Sequence, residues 1–178
     1  MATVLTDKLD LTKFRTMQGT IIPDVTTYIK DYIDNSNEEI KIYIGTDSQT
    51  SRKSKVTLYA TVICLHKIVR DEKGNIVGGK GSHLIFNKMK RKDVFDIFNK
   101  LSWEVEYSMQ LANHLKDANV YLAQNLLSIH IDLSPNAENG SHGVYKYAMG
   151  YIKAMGYDVV AKPGASVASY AADNIVRL

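Results

Sequence analysis

The stretch Ile40-Lys41-Ile42-Tyr43-Ile44-Gly45-Thr46-Asp47 alternates at first and then turns apolar, ending on a carboxylate. That is the pattern of a strand buried on both faces at the middle of a sheet. Upstream, Pro23-Asp24 opens an amphipathic segment with Val25, Tyr28, Ile29, Tyr32 and Ile33 at helical spacing, closed by Asn35-Ser36-Asn37. Residues 1–20 are mixed and polar. Downstream, polar residues 48–55 lead into a run at 56–69 rich in Val, Ile, Thr and Tyr, and Asp71-Glu72-Lys73-Gly74-Asn75 reads as a turn. The return strand spans 76–86, where Gly78, Gly79 and Gly81 signal weakness or a bulge.

A long helix is expected from Asp93, with Val94, Ile97, Phe98, Leu101, Val105, Ser108, Ala112 and Leu115 forming one stripe. Residues 126–133 then read as a strand carrying Asp132 at its end, 134–140 as a loop including Ala137 and Asn139, and 141–155 as a helix ended at Gly156. A short strand at 157–162 stops at Pro163-Gly164, and 165–176 is an Ala-rich helix. The first three strands can form a meander because their turns are short. The later strands follow helices and so run parallel to the first through right-handed crossovers. The expectation is one α/β domain over residues 1–178, with 1–38 an N-terminal extension and helix and 39–178 the core.

The composition of the 178 residues is that of an ordinary globular protein, 45% hydrophobic and 23% charged, which excludes wholesale disorder and fibrous repeats. The single cysteine, Cys64, sits in an apolar run and excludes a disulfide framework or a Cys-rich zinc site. No membrane-length apolar segment or secretory signal is evident, so the cytoplasm is the expected compartment and no membrane partner is expected. A net charge of +3 permits a polyanionic partner without requiring one. The cluster Lys88, Lys90, Arg91 and Lys92 suits phosphate contacts, or is the solvated basic start of the long helix.

Ligands of open α/β sheets gather at the carboxyl ends of parallel strands, where Asp47 and Asp132 both fall. On neighbouring strands their repulsion calls for a cation or a proton; singly, each is more often a turn or cap residue. On the long helix, Glu104 lies beside the core stripe and can face the sheet or snorkel outward, whereas Glu106 lies roughly 200° away. Asp173 shares the last helix with the small residues Ala168, Ala171 and Ala172, and is otherwise a partner for Arg177 one turn on.

The words Ile44-Gly45-Thr46-Asp47-Ser48-Gln49, Trp103-Glu104 with Ser108 and Ala112, His130-Ile131-Asp132, and Lys162-Pro163 followed by Ala168 and Ala172-Asp173, with Gly150 and Gly156 between, occur in an order that resembles a known family. It is the ribonuclease H-like superfamily, and within it the uncharacterised bacterial and phage proteins of the YkuK type. The resemblance covers most of the chain. It implies a five-stranded mixed sheet in order 3-2-1-4-5, strand 2 antiparallel, with helices on both faces. It also implies two Mg²⁺ or Mn²⁺ ions: Asp47 bridging them, Asp173 completing the site of the ion that activates water, and Glu104 and Asp132 holding the ion on the leaving-group side.

Two hard cations roughly 4 Å apart supply what phosphodiester hydrolysis needs, a nucleophile from water and charge stabilisation on the leaving oxygen. Carboxylates suit such ions. Among auxiliary candidates, His130 points the same way as Asp132 but deeper, as a hydrogen-bonded core histidine or a ligand. His142 is a proton shuttle or a solvated loop residue, and Lys162 a phosphate contact or a surface cation. Ser48 and Gln49 contact substrate or satisfy the turn. No Walker loop, dinucleotide fingerprint, His-Glu-x-x-His word or serine elbow is present, which removes those hydrolase and transferase classes. Two functions are weighed: metal-dependent cleavage of nucleic acid, RNA or an RNA–DNA hybrid first, and a catalytically silent module that binds nucleic acid or a protein. A bland α/β domain with ordinary surface acids is the third reading.

Overall fold

The computed structural model describes residues 8–94, 96–120, 126–136, 138 and 140–178; Ala137, Asn139 and the side chain of Ala168 lie outside them. In chain order the elements are a 3-10 turn (Leu11–Lys13), β1 (Phe14–Thr16), β2 (Ile21–Ile22), α1 (Val25–Asp34), β3 (Glu39–Thr50), β4 (Thr57–Arg70), β5 (Ile76–Arg91), α2 (Ile97–Asp117), β6 (Leu127–Ile131), α3 (His142–Ala154), β7 (Asp158–Ala161), a π-helical segment (Val167–Ala172) and α4 (Asp173–Arg177).

The sheet has seven strands, ordered β2-β1-β5-β4-β3-β6-β7. Its inner five reproduce the expected 3-2-1-4-5 order with the second strand antiparallel, and β3, β6 and β7 run parallel. The expectation of five strands falls short by two. A small hairpin, β1 and β2, turns at Gly19 and pairs Arg15 with Phe86 and Thr16 with Ile85, covering the β5 edge. Phe14 and Ile22 bury one side of it. Capping an edge in this way blocks pairing with another chain.

Ile40, Ile42 and Ile44 of β3 meet α1, α2 and α3 on one face, in a core that also takes Leu111, Leu115, Leu127, Ile129, Val144 and Ile152. On the other face the π-helical segment and α4 place Val167, Ala172, Ile175 and Val176 against Ala60, Val62 and Cys64. Helices therefore cover both faces.

The long helix starts four residues later than expected. Asp96 is its N-cap, accepting from the Asn99 N–H, while Asp93 pairs with Arg91. Ile97 and Phe98, assigned to the buried stripe, are 54% and 53% exposed, and Trp103 and Tyr107 are buried instead. The basic cluster is no helix start: β5 continues to Arg91, so Lys88 and Lys90 share one face and Arg91 points to the other, with Lys92 just beyond the strand. There Arg91 is buried, its guanidinium 3.7 Å from the centroid of the Trp103 ring. That burial removes Arg91 from the set of substrate contacts. The glycine-rich part of β5 does carry bulges, between His66 and Ile68 and between Val69 and Arg70 of the partner strand. The last helix is wound as π before α4, rather than as one Ala-rich α-helix.

Candidate active site

β3 runs to Thr50, so Asp47 is inside the strand rather than at its end. What ends near Asp47 is the parallel pairing. The last bonded pair with β6 is Gly45 with His130, and Asp47 and Asp132 each lie two residues beyond it, on the same face by the period of two. The turn that stops β6 thus leaves Asp47 on an open stretch of β3 while β4 still holds its other side.

Burial raises the Asp47 carboxyl to about 6; the Ser48 N–H opposes this, the charge of Asp132 adds to it, Lys100 opposes and Asp173 adds. Glu104 comes from α2 and is buried, and burial raises it to about 8, aided by Asp47 and Asp132 and opposed by the Ser48 hydroxyl and Lys100. Asp47 thus feels the charges of Asp132 and Asp173, and Glu104 those of Asp47 and Asp132. Ser48 is itself buried and donates its hydroxyl to Glu104 Oε1 at 2.6 Å, so it positions a carboxyl instead of waiting for substrate. One turn deeper, Thr46 joins Thr61 at 3.0 Å and Ser108 at 2.8 Å, which fixes α2 against β3 and β4.

Two of the acids already have cationic partners. Lys162 Nζ lies 2.9 Å from Asp132 Oδ1, and the Ser169 hydroxyl donates to the same oxygen. Arg177 Nε lies 2.8 Å from Asp173 Oδ1, the alternative partner that sequence spacing allowed. Among the described residues no three His, Cys, Asp or Glu side chains stand close enough together to hold a metal ion. The donors fit Mg²⁺ or Mn²⁺ in kind, being hard oxygens beside an uncompensated pair, Asp47 and Glu104. In position no three of them converge among the described residues, and Lys162 and Arg177, both more than 45% exposed, sit on Asp132 and Asp173.

His130 is a core residue: its Nδ1 accepts from the Val167 N–H at 3.2 Å, and burial lowers it to about 4. His142 opens α3, half-buried, with its ring stacked on Tyr145. Gln49 is exposed two residues beyond Asp47 on the same face of β3. A cleft of about 460 Å³ lies between Leu101, Asp132, Ser141 and Lys162, beside the acids. Sequence reasoning missed Lys100 and Ser169. Lys100 had a legible signal, its spacing of four from Glu104 on one helix face; Ser169 had none, because its role depends on the π winding.

A family model described as Ribonuclease H-like matches residues 24–177. The chain belongs to the ribonuclease H-like family. The match spans every element that positions the four acids, and the YkuK-type grouping is consistent with it. Searches of curated proteins and of solved structures returned no match to this ribonuclease H-like chain. Among the described residues no helix is long and apolar enough to cross a membrane.

Proposed function

We propose that this ribonuclease H-like protein hydrolyses phosphodiester bonds of nucleic acid, RNA or an RNA–DNA hybrid first, with two Mg²⁺ or Mn²⁺ ions held by Asp47, Glu104, Asp132 and Asp173. The observation that supports the reading is the register of β3 and β6, which ends at Gly45 with His130, so that Asp47 and Asp132, just past the end of β6, each follow two residues on, with Glu104 buried and feeling both charges. When bound, the ions supply an activated water and stabilise charge on the leaving oxygen.

The chain's own groups do the rest. Ser48 holds Glu104 in one rotamer, and Ser169 does the same for Asp132. Lys162 and Arg177 stand in for positive charge in the metal-free protein. Released from Asp132, Lys162 is placed beside the cleft to meet a substrate phosphate.

Labelled RNA, hybrid and DNA incubated with the protein in Mn²⁺ test the reading. Cleavage is expected with the parent and a loss of at least ~100-fold with Asp47→Asn; equal cleavage by both would remove it. The second reading, a silent module, is favoured by the same two ion pairs, because a permanently paired Asp132 and Asp173 leave no room for cations. It gives binding without turnover in either metal.

A further inference from the structure

The cations of β5 lie on the same sheet face as Asp47. Asp47, Ala60 and Lys88 form one row across β3, β4 and β5, and Gln49, Leu58 and Lys90 form the next. In this file of cations, Lys88 and Lys90 lie roughly 6.6 Å apart along the strand, and Lys92, just past its end, lines the same hollow as Lys90 and Gln49. The hairpin extends the file, since Arg15 pairs with Phe86 and Lys13 precedes it. Among the described residues, Arg15, Lys88, Lys90 and Lys92 have no carboxylate at ion-pair distance, while Lys13 pairs with Asp10 at 2.9 Å.

Three hollows of about 790, 570 and 380 Å³ lie in succession along this file, the first two sharing Leu58 and Lys90 and the last two sharing Lys13 and Lys88. Gln49 lines the first hollow and Phe86 the third, so the row of hollows reaches from the hairpin to the strand that carries Asp47 and outlines a groove. Its floor is apolar where Leu58 and Phe86 are half-buried.

We infer that this groove is a track for single-stranded nucleic acid, its backbone on Arg15, Lys88, Lys90 and Lys92 and its strand reaching Asp47 past Gln49. The inference deepens the proposed function by naming a single strand as substrate, and rests on it only for the link to Asp47. A single file of cations matches one backbone rather than two. An aromatic and aliphatic floor is useful to bases whose faces are unstacked, and a duplex hides those faces.

The test is fluorescence anisotropy of the full chain in chelator, with a labelled oligouridine of about 16 nucleotides and a duplex of equal length. Four phosphate contacts give a slope of roughly −2.8 for log affinity against log salt between about 50 and 200 mM. The variant K90Q/K92Q, altered only at exposed side chains, is expected to bring the slope to about −1.4, and K88Q/K90Q/K92Q to about −0.7 with at least ~10-fold weaker binding at low salt. Phe86→Leu is expected to weaken the single strand by about fivefold or more with the slope unchanged. Duplex bound as tightly as single strand, no binding at low salt, or a parental slope in K90Q/K92Q overturns the track. Binding in chelator is independent of hydrolysis. Failure here leaves the cation site standing, and failure of the cleavage assay leaves the track standing.

Discussion

Glu104 is buried beside Asp47, and burial first and the Asp47 charge second push its carboxyl well above the usual carboxylate range against the opposing Ser48 hydroxyl on its Oε1. Both shifts are upward, Asp47 from 3.8 to about 6 and Glu104 from 4.5 to about 8. Between those values the native state holds protons that the unfolded chain has already lost. The contribution of these two carboxyls to stability is therefore fully present below their ordinary values and is lost as pH rises through about 6 and then about 8. Glu104→Gln keeps an oxygen for Ser48 and has no charge to bury. Urea unfolding in chelator is expected to show it ~1–3 kcal/mol more stable than the parent at pH 8 and much flatter in pH; a parental pH curve would refute the assignment. Lys162→Ala removes the competing cation from Asp132, so Mn²⁺ affinity by calorimetry is expected to rise about two- to fivefold while substrate affinity falls. Lower Mn²⁺ affinity in that variant would contradict the exchange of cations. At this scale the sheet-facing side of Glu104 was legible because helix faces follow from local periodicity, whereas the place of Asp47 inside β3 was not, since β4 carries the strand on to Thr50. The partners Ser48, Ser169 and Lys162 were not, since which oxygen each reaches is set by packing between distant segments.

At the scale of elements, the bulged pairing of β4 with β5 depends on one glycine. A Cβ on Gly79 would lie 2.0 Å from the His66 Nε2, so the ring occupies the space that glycine leaves. Gly79→Ala is expected to cost ~1–3 kcal/mol in urea unfolding, and His66→Ala in the same chain to recover part of it; an unchanged midpoint for the single variant would refute this packing. The glycines announced a bulge in the sequence, but the ring that fills it comes from the partner strand. Likewise β1 and β2 were illegible: strands of three and two residues carry too little alternation to register, and they exist because β5 offers them an edge. The start of α2 was misjudged because Asp93 and Asp96 are both acceptable caps, and the choice falls to the Arg91 guanidinium, which claims Asp93 and seats itself on Trp103.

Across the whole molecule, the inner sheet was readable because buried central strands and helix-separated parallel strands constrain topology strongly. The acidic centre follows from that topology, as β6 stops while β3 runs on, and the cation file of β5 lies on the same face two strands away. Diffraction from crystals soaked in Mn²⁺ tests the central claim most directly. The account predicts an anomalous peak between Asp47 and Asp132, with Lys162 turned away from Asp132. No peak there, with Lys162 still seated on Asp132, would contradict it.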